Sequence, residues 1–168
     1  MGRYYERKLD GSLGDSFAVQ QDPPVEYIDD ASPEFAALAL GAAKRDKAAA
    51  IAAAYAAAIA RGCAHRGKVI QLDAESRGNI GALAAVAELA EEERAEWPAM
   101  LESKGWRTLD NTHLPVTPAQ MLELSLAAMA QFVAIRFRAS ALKDALAVAA
   151  TVAEVNAIDA TAGWPGEA

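Results

Sequence analysis

Large apolar side chains recur at helical spacing along three segments of the chain. Between Ala48 and Ala60 the large ones are Ile51, Tyr55 and Ile59, each four residues after the last. Ser32 can cap this segment, Pro33 suits a first helical turn and Glu34 complements the dipole, so a helix is predicted from residue 33 to Arg61. Gly62 is placed to end it, and Gly41 is its weak point. A second helix starts from Asp73 as cap, carries the row Ile80, Leu83, Val86 or Ala87 and Leu89–Ala90, and runs to Trp97, with Pro98 ending it or forcing a bend. A third, over 118–149, opens on the capping box Thr117-Pro118-Ala119-Gln120. Its row is Met121, Leu124, Ala128, Phe132, Ile135, Ala139, Leu142 and Leu146, with a period close to 3.5. Thr151 and Glu154 form another capping box, opening a short fourth helix to about Ile158.

The remaining segments read as extended. RYYERKLDGSLGDSFAVQ suggests two short strands about a Gly-containing turn. QDPPVEYIDDASPE, acidic and with paired prolines, reads as an extended linker. CAHRGKVIQLD is punctuated by Gly67, and GWRTLDNTHLPVTPAQ turns at Asp110-Asn111-Thr112. The expected fold is mainly α: antiparallel long helices, two small β-hairpins and an extended N-terminal β/coil arm. The expected organisation is a docking arm over 1–31, a helical domain over 32–165 and a tail over 166–168.

Composition sharpens this picture. Hydrophobic residues make up 53% of the 168, but 42 residues are Ala, so large core side chains are few. The burial of Ile51, Tyr55 and Ile59 cannot offset the ordering of so long a helix, which must lean on other surfaces. Alanine permits close approach by another helix, either the third helix of the same chain or a copy in another subunit. Ile51, Tyr55, Ile59, Phe132 and Ile135 are the expected seam, and the chain is expected to be a homo-oligomer. In the arm, Tyr4, Tyr5, Phe17 and Val19 are candidates for docking on a neighbour by strand addition.

A net charge of −7 with scattered Lys and Arg argues against nucleic-acid binding. The N-terminus has no apolar leader, and the alanine run is too short to span a bilayer, so no membrane association is expected. The single cysteine, Cys63, allows no intrachain disulfide. A metal site from Cys63, His65, His113 and Asp110 would need two distant hairpins to meet, and no phosphate loop, dinucleotide fingerprint or hydrolase motif is present. Neither a cofactor, a metal nor an enzymatic activity is expected. Trp97, Trp106 and Trp164 read as plugs at the ends of a thin core, with carbohydrate stacking as the alternative.

Four stretches in order resemble a phage domain of unknown function: KRDKAAAIAAAYAAAIARG, VIQLDAESRGNI, GWRTLDNTHLPVTPAQMLEL and FRASALKDALAVAATVAEVNAIDATAGWP. The domain occurs in small proteins encoded beside bacteriophage tail-fibre genes, including tail-fibre assembly-like proteins. The resemblance covers about residues 44–165, most specifically at Ser76-Arg77-Gly78-Asn79-Ile80, Trp106 with Asp110-Asn111, and Ile158-Asp159 with Gly163-Trp164-Pro165. Cys63-Ala64-His65 departs from it where an aromatic is expected. The resemblance implies a structural component of a phage tail, at the fibre or the distal, baseplate-associated end. Its partners would be other tail or fibre proteins and its location the virion tail, after synthesis in the host cytoplasm. The alternative it implies is a tail-fibre assembly chaperone absent from the finished particle. It implies no enzyme and carries over no catalytic residue.

Overall fold

A computed structural model describes residues 3–8, 13–17, 26–29 and 31–166. The protein is mainly helical, at 60%, with three long helices and small antiparallel sheets. Two compact units divide the chain: residues 1–51 with 142–160, and residues 52–141 with 161–168. The helices α1 (Pro33–Arg61) and α4 (Pro118–Val148) contribute residues to both.

In the first unit, strands β1 (Arg3–Arg7), β2 (Leu13–Phe17) and β3 (Glu26–Ile28) form one antiparallel sheet in the order β2-β1-β3. The third strand lies within the stretch expected to be an extended linker. Its pairing places Ile28 opposite Arg3 and Glu26 opposite Tyr5. The two-residue period then puts Tyr5 and Ile28 on one side of the sheet, where both are buried. The Tyr5 ring packs against Phe35 of α1, with centroids 5.4 Å apart. Val19 and Pro23-Pro24 lie outside the described residues.

Helix α1 begins as its sequence dictates, with the Phe35 amide donating to Ser32 Oγ at 3.1 Å. Two of its lysines close the ends of other helices in the same unit. Lys44 Nζ donates to the carbonyl of Ala147 in the last turn of α4, at 3.1 Å. Lys47 Nζ donates at 2.7 Å to the carbonyl of Ile158, which ends α5 (Val152–Ala157). Each amine meets the partly negative end of a helix, where orphan carbonyls collect. The capping box of Thr151 and Glu154 opens α5, and Val155 is its buried anchor.

In the second unit, α1 ends at Gly62, whose φ is +74° and where any side chain would overlap the Ile70 carbonyl oxygen. Strands β4 (Cys63–His65) and β5 (Lys68–Ile70) follow as a hairpin. Its two loop residues, Arg66 and Gly67, both have positive φ, the combination a tight two-residue hairpin demands. Asp73 caps α2 (Ala74–Glu91). This helix stops six residues before the expected end at Trp97. Glu93 turns to φ 58°, the Arg94 amide reaches back to the Leu89 carbonyl at 2.8 Å, and the Glu93 amide to Ala90 at 3.1 Å. That is a Schellman ending with glutamate in the glycine position. The acidic run at Glu91–Glu93 opposes continuation, because it faces the negative end of the helix dipole.

A short helix, α3 (Ala99–Ser103), precedes the hairpin of β6 (Trp106–Arg107) and β7 (His113–Leu114). Gly105, at φ +95°, brings its backbone against the Leu114 carbonyl, where a Cβ would collide. The capping box of Thr117 and Gln120 then opens α4. The expected apolar row of α4 is its interior face: Met121, Leu124, Ala128, Ile135, Ala139, Leu142 and Leu146 are all buried. Phe132 alone of that row is half-buried.

Candidate functional site

A hollow of the second unit lies where β5 passes into α2. Asp73 Oδ1 accepts from the Ser76 amide at 2.9 Å and Oδ2 from the Ser76 hydroxyl at 2.7 Å, fixing the first turn. These bonds hold the Asp73 carboxyl below its ordinary range. Behind this cap, Arg77 Nε donates to the Leu72 carbonyl at 2.9 Å. The helix start therefore presents Gln71, Asp73, Glu75 and Asn79 on one wall of a cavity of about 420 Å³, and the β6 residues Trp106 and Arg107 supply another. Arg107 donates to Asn111 Oδ1 at 2.9 Å.

The second wall is held by the turn that follows it. Asp110 Oδ1 accepts from the hydroxyls of Thr108 at 2.6 Å and Thr112 at 2.7 Å, and from the Thr112 amide. Lys68 Nζ donates to Oδ2 at 3.2 Å. Chiefly through the two hydroxyls, Asp110 is driven far below the usual carboxylate range. The Leu109 amide donates to the Val69 carbonyl, tying this turn to the β4–β5 hairpin. A second hollow, of about 280 Å³, shares Gln71 and Asp73 but is otherwise apolar, with Ile59, Ala56, Ala60 and Leu109.

The residues singled out in the sequence fall into three groups. Ile51 and Ile135 are buried in the chain's own interior. Tyr5 is buried, and Tyr4 and Phe17, directly opposite each other in the β1–β2 pairing, are half-buried. Tyr55, Ile59 and Phe132 are half-buried, each with a distinct neighbour. Tyr55 meets the buried ring of Trp164 edge-on, with centroids 6.4 Å apart. Ile59 lines the apolar hollow, and Phe132 lies beneath Arg77.

Cys63 and His65 share strand β4 and His113 lies on β7. Cys63 is buried, and burial raises its thiol pKa. His65 is pushed below its ordinary value by burial first and by Arg66 second, with Glu123 opposing. His113 is exposed on β7. Among the described residues, no cluster of three or more His, Cys, Asp or Glu side chains is placed to hold a metal ion.

The sequence pattern did not single out the outer face of α4. Leu126 (73% exposed), Met129 (55%), Val133 (38%) and Phe137 (70%) form a second apolar stripe, turned away from the buried row. A helical wheel separates the two stripes, but Leu, Met and Phe in a long helix read first as core. By length and composition α4 is also apolar enough to cross a membrane.

Fold and surface together define a mainly α-helical module with small accessory sheets, apolar on both sides of its longest helix. Over residues 42–162 the chain matches, and so belongs to, the family described as a domain of unknown function (DUF4376). No curated protein and no solved structure matches it.

Proposed function

We propose that this protein works by protein–protein contact, as a structural component of a bacteriophage tail at the fibre or the distal, baseplate-associated end. Contact with copies of itself and with other tail proteins is the mechanism; no bond is made or broken. The phage setting is supported by the sequence resemblance over residues 44–165. The contact mechanism is supported by one observation, the exposed stripe of Leu126, Met129, Val133 and Phe137 on α4. Side chains of this size left in water along one helix face mark an interaction surface.

The occupant is a second copy of α4. Leu126 and Val133 lie equally far from the bond between Met129 and Ala130, as do Leu122 and Phe137. In an antiparallel pair crossing at that bond, Leu126 faces Val133 of the other copy and Leu122 faces Phe137. Such a surface is self-complementary about a two-fold axis, as an isologous contact requires.

Sedimentation equilibrium and mass spectrometry of purified virions test the two parts. The expected results are a self-associating protein that Leu126→Lys and Phe137→Lys render monomeric with helicity unchanged, and its presence in the particle. A wild-type monomer at high micromolar concentration, or flotation with phosphatidylcholine vesicles through the same stripe, overturns the contact. Absence from particles, with binding to fibre protein in the lysate, replaces the structural role by that of an assembly chaperone.

A further inference from the structure

We infer that the hollow at the start of α2 is a binding site for a neutral saccharide, a function separate from self-association through α4. The polar groups of its lining divide into two sets. Asp73 and Ser76 bond to each other, and Arg107 bonds to Asn111. Gln71, half-buried, and Glu75 and Asn79, exposed, line the same cavity with side chains that bond to no other described residue. Two carboxamides and a carboxylate offer donors and acceptors in planar pairs, the geometry that adjacent hydroxyls of a sugar ring satisfy.

The charges narrow the class. Asp73 and Glu75 against Arg107 leave the lining with one net negative charge, which disfavours phosphate and other anions. Trp106 is the one aromatic residue of an otherwise polar lining. The neighbouring hollow, which shares Gln71 and Asp73 with it, is lined by Ile59 and Leu109. A pyranose is itself two-sided, with hydroxyls around its rim and C–H groups on its faces, and it needs both kinds of wall. The volume of about 420 Å³ lies within the range of small-molecule clefts, roughly 300–1,000 Å³. The walls are held by bonds already made: the Asp73–Ser76 cap on one side, and the Asp110 turn with its Lys68 contact on the other. The site is thereby largely organised before a ligand arrives.

The experiment is a ¹H–¹⁵N NMR titration of the full chain with methyl glucoside, methyl galactoside and methyl N-acetylglucosaminide. Inorganic phosphate and lysine methyl ester serve as charged probes. At least one glycoside is expected to shift the Trp106 indole and the Gln71 and Asn79 carboxamides. Glu75→Ala and Asn79→Ala, at exposed helix positions, are expected to weaken that response roughly tenfold or more while leaving the remaining spectrum in place. Leu126→Lys is expected to leave it intact, which separates this site from the α4 contact. The inference is overturned if no glycoside moves these signals, if both pocket variants respond like the wild type, or if phosphate or the amine moves them more strongly than any sugar.

Discussion

The guanidinium of Arg77 lies 3.7 Å from the centroid of the Phe132 ring. The same side chain donates from Nε to the Leu72 carbonyl. One residue thus ties the segment before α2 to the middle of α4. A lysine could supply the charge over the ring but not the planar fork that bonds sideways while stacking. Arg77→Lys is expected to cost about 1 kcal/mol in urea denaturation. A double-mutant cycle with Phe132→Leu should give a coupling of about 0.5–2 kcal/mol. Zero coupling would make the stack incidental.

Acid should act through Asp110. Its hydrogen bonds hold the folded-state pKa below the ordinary 3.8, so the unfolded chain takes up the proton first. The stabilisation is present in full above the unfolded value and is lost as pH falls from about 4 through the folded value. Asp110→Asn should therefore be less stable near neutrality and show a flatter decline in acid. Asp73, also depressed, should leave a residual slope. Thermal melts of both proteins between neutral and strongly acidic pH provide the check.

Cys63 is enclosed, and its thiol is held in the protonated form by burial. Alkylation by iodoacetamide at mildly alkaline pH should be slow in the native protein and become rapid on unfolding. Modification at the rate of a free thiol without loss of helicity would contradict this environment.

Trp164 is buried at 3% exposure and meets Tyr55 edge-on. Nearby, Arg138 donates to the Ala162 carbonyl at 2.8 Å. Truncating so large a ring leaves a cavity, so Trp164→Ala should cost about 3–5 kcal/mol in chemical denaturation. Tyr55→Phe keeps the ring pair and should fall within about 0.5 kcal/mol of wild type.

What could be read in advance follows the range of the forces. Ser32, Thr117, Thr151 and Gly62 act on residues within one turn, and each helix boundary they implied is where it was expected. The buried row of α4 was legible because a 31-residue helix samples its period many times. The strand Glu26–Ile28 was not, because what makes it a strand is β1, more than twenty residues away. The end of α2 was misplaced because Pro98 looked like the stronger stop than a glutamate in left-handed conformation. The hollow at the start of α2 was hidden for a further reason. Asp73 and Glu75 have a sufficient local role at a helix start, and only the tertiary arrangement sets Trp106 and Arg107 beside them.

The ending of α2 leaves unused headroom. Glu93 occupies a left-handed bend that disfavours any residue with a Cβ, and does so with a third consecutive negative charge. Glu93→Gly relieves both and should harden the protein to heat, by about 0.5–1 kcal/mol after the greater freedom of the unfolded glycine is subtracted. A scanning-calorimetry midpoint that moves upward identifies this bend as a place where the fold tolerates a poor fit, and where an engineer could begin.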